Sequence, residues 1–203
     1  QNDMTIEISA KIVKELREKT GAGMMNCKKA LTENNGNFEK ALETLKLKGM
    51  ATADKKASRK ATEGIIDAYI HTGNKLGILI EVNCETDFVA RRSEFKDLVK
   101  NIAMQIASNP EVEVISSNDI PQEVKDKEWA FESSKEELAN KPEDIRNKII
   151  EGRVNKTLKT KVLLEQSFIR DSNITINDLI KQNIAILGEN IKIAKFVRFT
   201  LNN

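Results

Sequence analysis

The sequence predicts an α+β protein with a three-helix N-terminal module, a basic linker, and one α+β core domain with an antiparallel sheet and a helical arm. Three observations predict it: helical periodicity in the first 50 residues, a lysine-rich run at residues 46–60, and a later mixture of strand and helix patterns without regular βαβ alternation. The predicted boundaries are 4–50 for the helical module, 51–62 for the linker and 63–203 for the core domain.

End signals and apolar spacing define the three N-terminal helices. Ser9 is available as the N-cap of the first helix, and Gly21 ends it. The second helix begins after Gly23 and ends at Asn34-Asn35-Gly36, and Asn37 can cap the third. The apolar positions of the three helices are Ile12, Val13, Leu16, Met24, Met25, Cys27, Ala30, Leu31, Phe38, Ala41, Leu42 and Leu45. These helices can bury a small core of their own.

A basic run follows the helical module. Residues 46–60 carry six lysine or arginine side chains against a single acidic one, Asp54. No large apolar residue follows Met50 in this run, so we expect a solvated helical or flexible linker. Contact with RNA is an alternative interpretation of the same charges.

The core domain begins with two strand patterns. Gly64–His71 and Leu76–Cys84 are rich in β-formers, and Thr72-Gly73-Asn74 between them predicts the turn of an antiparallel hairpin. Glu111–Ser116 alternates and is predicted as a third strand. Ile191–Leu201 is predicted as the closing strand, with Ile193, Val197, Phe199 and Leu201 on one face.

Helices fill the rest of this domain. One helix has a single buried face formed by Phe95, Leu98, Val99, Ile102, Ala103 and Ile106. Another helical stretch contains Trp129, a further helix restarts at Pro142, and Leu179–Leu187 is helical. The window Glu111–Asp144 holds 11 acidic residues against 4 lysines, which predicts an exposed arm.

Composition excludes several classes of protein. Apolar runs are far shorter than the roughly 20 residues that span a membrane, so no membrane partner is expected. A formal net charge of +2 does not indicate strong whole-molecule attraction to nucleic acid, and no direct nucleic-acid partner is expected. No signal peptide precedes Ser9, so we expect a protein that is not secreted; Met4 reads as the natural start, after Gln1, Asn2 and Asp3.

The residues that most enzymes need are scarce. The chain has one histidine, His71, and two cysteines, Cys27 and Cys84, so we expect no metal, no cofactor and no disulfide scaffold. Phosphate-binding glycine loops, Rossmann glycine patterns and nucleophile elbows are missing from the sequence. A nucleophilic pair of Cys84 and His71 is one enzymatic alternative, although no third group to orient it can be named.

Two segments stand out from this background. Met24 and Met25 follow a Gly-Ala-Gly turn, and adjacent helical residues diverge by about 100°, so at least one methionine should be exposed to a partner. The alternative is that both close the helical core. In the second segment, Thr86 or Asp87 can cap a helix, which makes Phe88 either a rigid apolar wedge at a fixed turn or an ordinary core aromatic.

These segments carry a family resemblance. The run Glu15–Leu31 (ELREKTGAGMMNCKKAL) and the run Glu81–Ala90 (EVNCETDFVA) closely resemble the two signatures of translation elongation factor Ts. Later segments, Glu151-Gly152-Arg153 and Leu163–Gln166, are also similar to that family, and the resemblance runs over the chain from Met4. Longer members carry two core subdomains and a coiled coil, whereas this chain looks like the short form of some bacteria and plastids.

The resemblance implies a function. Members of this family are exchange factors that release GDP from elongation factor Tu without covalent chemistry, and they bind it both GDP-bound and nucleotide-free. The N-terminal module would resemble a ubiquitin-associated (UBA) fold. The implied location is bacterial cytoplasm or a plastid, and a homodimer could supply the second half of the binding surface.

The resemblance also assigns partner-binding residues. Arg17, Met24 and Met25 would contact the nucleotide domain of elongation factor Tu, and His71 matches a turn histidine that touches it. The motif Thr86-Asp87-Phe88-Val89 would enter between its helices and displace the groups that hold Mg²⁺ and phosphates. A different class of function also fits the three-helix pattern: an adaptor that binds a ubiquitin-like protein.

Overall fold

A computed structural model describes residues 7–202 of the chain. The predicted start at Met4 therefore lies outside the described residues. The structure mixes helices with small antiparallel sheets, which confirms the α+β class.

Three helices form the N-terminal module: α1 (Ala10–Thr20), α2 (Met24–Glu33) and α3 (Phe38–Lys56). The Ser9 hydroxyl accepts a hydrogen bond from the Ile12 N–H at 3.3 Å, and the Asn37 side chain accepts one from the Lys40 N–H at 3.0 Å. The buried core of the module consists of Val13, Leu16, Cys27, Ala30, Leu31, Ala41, Leu42 and Leu45. The three packed helices agree with the sequence pattern, whereas their likeness to a UBA fold remains a prediction.

The basic run is helical over most of its length. Helix α3 continues to Lys56, and Ala53 is buried. Of the two forms expected for the linker, the helical one is therefore observed as far as Lys56. The first strand begins soon afterwards at Glu63.

A three-stranded sheet has the order β1 (Glu63–Ile70), β2 (Leu76–Cys84) and β5 (Lys192–Thr200). The His71 N–H donates to the Leu76 carbonyl at 2.9 Å and closes the predicted hairpin. The Leu201 N–H donates to the Lys75 carbonyl, so the end of β5 lies beside the start of β2, as antiparallel pairing requires. Helix α5 (Ser93–Ser108) buries all six predicted apolar residues.

The third predicted strand is wrong. Residues 111–116 belong to neither sheet, and Val114 forms only an isolated parallel bridge with Val162. The reason lies in the hydrogen bonds of the segment. The Glu113 and Val114 N–H groups both donate to the Lys161 carbonyl, and the Leu163 N–H donates back to Val114. These bonds occupy the backbone groups that a sheet would have needed.

The window predicted as the arm, Glu111–Asp144, contains α6 (Gln122–Ser133), which packs against the following helix α7 (Glu143–Lys159) beside a separate buried core. A short hairpin missed by the sequence patterns, β3 (Ser167–Phe168) with β4 (Asp171–Thr175), follows the arm. Helix α8 (Ile176–Leu187) starts three residues before the predicted Leu179. The tetrapeptide helix α4 (Asp87–Ala90) lies between β2 and α5.

The chain divides into two compact units. The first takes in Gln1–Gly64 (described from residue 7), Asn83–Lys96 and Ile180–Lys192; the second takes in Ile65–Val82, Asp97–Leu179 and Ile193–Asn203 (described to residue 202). These units differ from the predicted ranges 4–50, 51–62 and 63–203, which remain a prediction about independently folding domains. Within residues 7–202, no helix combines the length and the hydropathy that crossing a membrane requires.

Gly21 ends α1 in a left-handed backbone conformation, close to the side chain of Ile186. Its φ is +69°, and a Cβ added there would lie 2.8 Å from Ile186 Cδ1. We expect Gly21→Ala to lower the free energy of unfolding by about 1–2 kcal/mol from the left-handed backbone alone, with the contact adding to the loss. Denaturant unfolding followed by circular dichroism measures this change.

Gly152 provides the matched control. It lies in α7, where an added Cβ meets no atom within 4 Å, so Gly152→Ala should raise the free energy of unfolding by about 0.5–1 kcal/mol. Equal losses in the two variants would contradict the role given to the Gly21 backbone.

Candidate functional site

The turn between β2 and α5 presents the second sequence motif. Thr86 has extended backbone (φ −127°, ψ 152°), and its hydroxyl accepts a hydrogen bond from the Val89 N–H at 3.3 Å. Thr86 is therefore the N-cap of α4. The sequence left the choice between Thr86 and Asp87 open, and the structure selects Thr86.

Phe88 faces outward from this turn. Its relative exposure is 74%, whereas the next two residues, Val89 and Ala90, are buried. The expectation of an ordinary core aromatic at Phe88 is therefore wrong, because the buried side of α4 is already filled by its two neighbours. A large apolar ring on an anchored turn is available to a partner surface.

Asp87 has a different role from the cap that the sequence allowed. Its Oδ2 accepts a hydrogen bond from Arg91 Nη2 at 2.7 Å, one helical turn away, and Arg91 Nε also donates to the Asp87 carbonyl at 3.3 Å. Both side chains are about 71% exposed, so this ion pair contributes little to stability.

The turn is held from a distant part of the chain by Glu189. This carboxylate follows α8 and accepts three hydrogen bonds from Glu85 and Thr86, over sequence separations of 103 and 104 residues. Sequence patterns missed Glu189, because a single glutamate after a helix carries no local signal of such a long-range contact.

The N-terminal candidates lie at the start of α2 and on α1. Met24 and Met25 are 58% and 76% exposed, so both methionines are solvent-accessible and neither closes the helical core. Arg17, on α1, is also exposed. All three belong to the first compact unit, as does the turn of Phe88.

His71 belongs to the second unit and ends the β1–β2 hairpin. Its Nδ1 lies 3.0 Å from the Tyr69 hydroxyl, and the two ring centroids are 6.0 Å apart. The His71 ring is exposed and hydrogen-bonded to Tyr69, as is typical of a turn residue with a local structural role.

Cys84 lacks the properties of a nucleophile. Its thiol is buried and donates to the Thr86 carbonyl at 3.1 Å. Burial, followed by the nearby negative charge of Glu189, raises the pKa of Cys84 from 9.0 to about 11. The reactive thiolate is therefore scarce at neutral pH, which argues against the alternative of a Cys84–His71 pair.

Within residues 7–202, the structure places no group of three or more histidine, cysteine, aspartate or glutamate side chains where they could hold a metal ion. The distinctive features are instead an outward aromatic ring on an anchored turn and two exposed methionines. Such features are typical of surfaces that bind other proteins. Fold and site together define an α+β protein that presents exposed apolar side chains on an anchored turn and at a helix start.

Comparison with known proteins identifies the family. The family model described as "Elongation factor TS" matches residues 1–203. "Elongation factor Ts, chloroplastic" of Guillardia theta is 65% identical over 198 residues, covering 98% of this chain and 90% of the relative. The same-named protein of Phaeodactylum tricornutum is 63% identical over 198 residues, with 98% of each chain covered. "Elongation factor Ts" of Synechococcus elongatus is 58% identical over 195 residues, covering 96% of this chain and 88% of the relative.

The chain belongs to the elongation factor Ts family and has a role in translation elongation. The resemblance carried by the runs Glu15–Leu31 and Glu81–Ala90 is thereby confirmed. The partner contacts that the resemblance implies remain predictions.

The state of the Cys84 thiol can be tested by alkylation. Because its pKa is raised, we expect iodoacetamide to react with native Cys84 far more slowly at pH 7–9 than with the unfolded chain, and the rate to keep rising towards pH 11. Peptide mass spectrometry reports this residue separately from Cys27. Rapid alkylation of native Cys84 at pH 7 would contradict the assignment.

Proposed function

We propose that the protein is a guanine-nucleotide exchange factor for elongation factor Tu, promoting GDP release by disturbing the Mg²⁺ and phosphate site with Asp87 and Phe88. The observation that carries the proposal is the exposed Phe88 ring on a turn capped by Thr86. The partner is bound both GDP-loaded and nucleotide-free. Exchange breaks no covalent bond, so the protein acts without a catalytic residue, a metal or a cofactor of its own.

The mechanism needs differential affinity for a distorted state of the partner. Mg²⁺ requires near-octahedral ligands at about 2.0–2.1 Å, so a small displacement of those ligands weakens its binding. Burial of a phenylalanine side chain supplies about 1.5–3 kcal/mol towards such a displacement. Because the two binding equilibria are linked, the factor by which the exchange factor weakens GDP binding equals the factor by which GDP weakens binding of the exchange factor. Incoming nucleotide can therefore expel the exchange factor.

A second contact comes from the N-terminal module. The exposed Met24 and Met25 side chains supply adaptable apolar surface, and Arg17 supplies a charge on the neighbouring helix. Both contacts lie in one compact unit, so the module can dock on the nucleotide domain while Thr86-Asp87-Phe88-Val89 enters the partner. His71, in the second unit, is proposed as an additional contact with the same partner.

Phe88→Ala tests the wedge. We expect the maximal rate of GDP release to fall about 10- to 100-fold, because the burial of one aromatic side chain is lost. The fold should be retained, since the ring is exposed. Stopped-flow fluorescence with elongation factor Tu loaded with a fluorescent GDP measures the rate, and circular dichroism checks the fold.

Phe131→Ala is the matched control. Phe131 is another exposed phenylalanine (60%), but it lies on α6 of the arm and should leave exchange unchanged. No acceleration by the unaltered protein would overturn the exchange function. Normal acceleration by a folded Phe88→Ala variant would overturn the wedge alone.

A homodimer is the second part of the proposal, and the outer face of the three-stranded sheet supports it. Arg198 donates to the carbonyls of Ile106, Asn109 and Val112 on the helical side, so its strand neighbours point the other way. Alternation along the strands gives this outer face a set of exposed apolar side chains: Ile66, Ile70, Leu79, Val197 and Phe199. A second copy packed on this face would remove these apolar side chains from water.

Phe199→Asp tests this face. Phe199 is 69% exposed on β5, so a carboxylate there should keep the fold and prevent two faces from packing. Multi-angle light scattering should give twice 22.8 kDa for the unaltered protein and for the control Phe131→Asp, and 22.8 kDa for Phe199→Asp. A monomeric mass for the unaltered protein would contradict the dimer.

Location completes the proposal. The relatives named above are chloroplastic or cyanobacterial, which supports a plastid or the cytoplasm of a bacterium for this chain. Neither a membrane nor a nucleic-acid partner forms part of the proposal.

A further inference from the structure

We propose that Glu189 is a positioning residue that fixes the direction of Phe88. This inference rests on the proposed exchange function, because it names the group that makes the aromatic side chain an effective wedge. The contacts that carry it all lie within the first compact unit.

The Glu189 carboxylate accepts hydrogen bonds from the donor groups at the start of the turn. Its Oε1 accepts hydrogen bonds from the backbone N–H groups of Glu85 at 3.1 Å and Thr86 at 2.9 Å. Its Oε2 accepts the Thr86 hydroxyl at 2.7 Å. Three donors therefore converge on one carboxylate, and hydrogen bonds to an ionised acceptor are the strong ones.

The Thr86 hydroxyl connects the Glu189 carboxylate to α4 through two hydrogen bonds. A hydroxyl donates one hydrogen bond and accepts others. Because its proton goes to Glu189, its oxygen is free to accept the Val89 N–H at 3.3 Å. Glu189 therefore orients the N-cap, and the N-cap orients the turn on which Phe88 lies.

Glu189 is itself held at both sides. Helix α8 ends at Leu187 and is followed by Gly188, whose φ is +78° and whose carbonyl accepts a hydrogen bond from Lys56 Nζ at 3.0 Å. The amide of Asn190, which is 2% exposed, donates to the carbonyls of Ala57 at 3.4 Å and Arg59 at 2.8 Å. Gly188-Glu189-Asn190 thus forms a clasp between the residues after α3 and the turn of Phe88.

Loss of the carboxylate should affect exchange more than folding. Thr86 is exposed and Glu85 only partly buried, so their released N–H groups can bond to water. The exposed Phe88 ring depends on its backbone for direction, and a looser turn must be ordered when the partner binds. The maximal exchange rate should fall while docking through Met24 and Met25 persists.

The experiment compares Glu189→Ala, Glu189→Gln and the control Glu43→Ala, which removes an exposed carboxylate from α3 of the same unit. For Glu189→Ala we expect about a tenfold lower maximal rate of GDP release, with little change in the half-saturating concentration. Glu189→Gln should recover most of the rate, because its amide oxygen can still accept from both N–H groups. Glu43→Ala should match the unaltered protein.

Amide hydrogen exchange of the free protein provides a readout that does not depend on the partner. Glu189→Ala should lose protection at Thr86 and Val89, while Leu16 and Ile102 in the cores keep theirs. Unchanged protection at the turn, or an unchanged release rate with an active unaltered protein, would overturn the inference. So would a general loss of protection, or an equal loss of rate in Glu189→Gln.

An unaltered protein that fails to accelerate GDP release would instead overturn the proposed exchange function. In that outcome the hydrogen-exchange comparison alone decides whether Glu189 sets the geometry of the turn.

Discussion

The carboxylate of Glu189 and the donors of the Thr86 turn form the interaction on which the candidate site depends. A helix of four residues, such as α4, cannot hold its own first turn, because its backbone N–H groups have almost no partners inside the helix. The Thr86 hydroxyl accepts the Val89 N–H from outside the helix, and Glu189 in turn holds Thr86 by accepting its N–H and its hydroxyl. Below the turn, buried Val89 and Ala90 anchor α4 to the core. Phe88 then has a fixed base without any packing of its own ring.

The same clasp explains the end of the basic run. A stretch with six positive charges and no large apolar residue after Met50 has little apolar surface that would order it, yet α3 continues to Lys56 and the chain beyond it is bonded to Asn190. Lys181 also pairs with Asp54, the one carboxylate of the run, at 3.0 Å. Order in this segment comes from backbone carbonyls that find donors in the loop after α8. The charges themselves remain at the surface, where they favour solubility over packing.

Sequence patterns predicted the parts of the structure that depend on neighbouring residues. Caps at Ser9 and Asn37, the left-handed glycine at Gly21 and the buried face of α5 all follow from spacing over a few residues. The strand predicted at Glu111–Ser116 was wrong, because alternation cannot show which backbone will accept the hydrogen bonds, and Lys161 provides that acceptor. Glu189 was missed for the same reason. Its partners are more than 100 residues away and leave no periodic trace.

The exposure of individual side chains decided between the core and surface placements that the motifs alone left open. Phe88, Met24 and Met25 each had a core alternative, and an apolar residue is buried more often than not. Burial of Val89 and Ala90 removes that alternative for Phe88, because a short helix has one inner side and two side chains already fill it. The closing strand shows the converse. Val197 and Phe199 are exposed together, whereas Ile193, which was predicted for the same face, is buried. The Arg198 contacts turn the face of Val197 and Phe199 away from α5. An apolar stripe in the sequence therefore predicts that several apolar side chains share one face. The contacts of the neighbouring polar residues determine whether that face packs on the protein's own core or stays exposed.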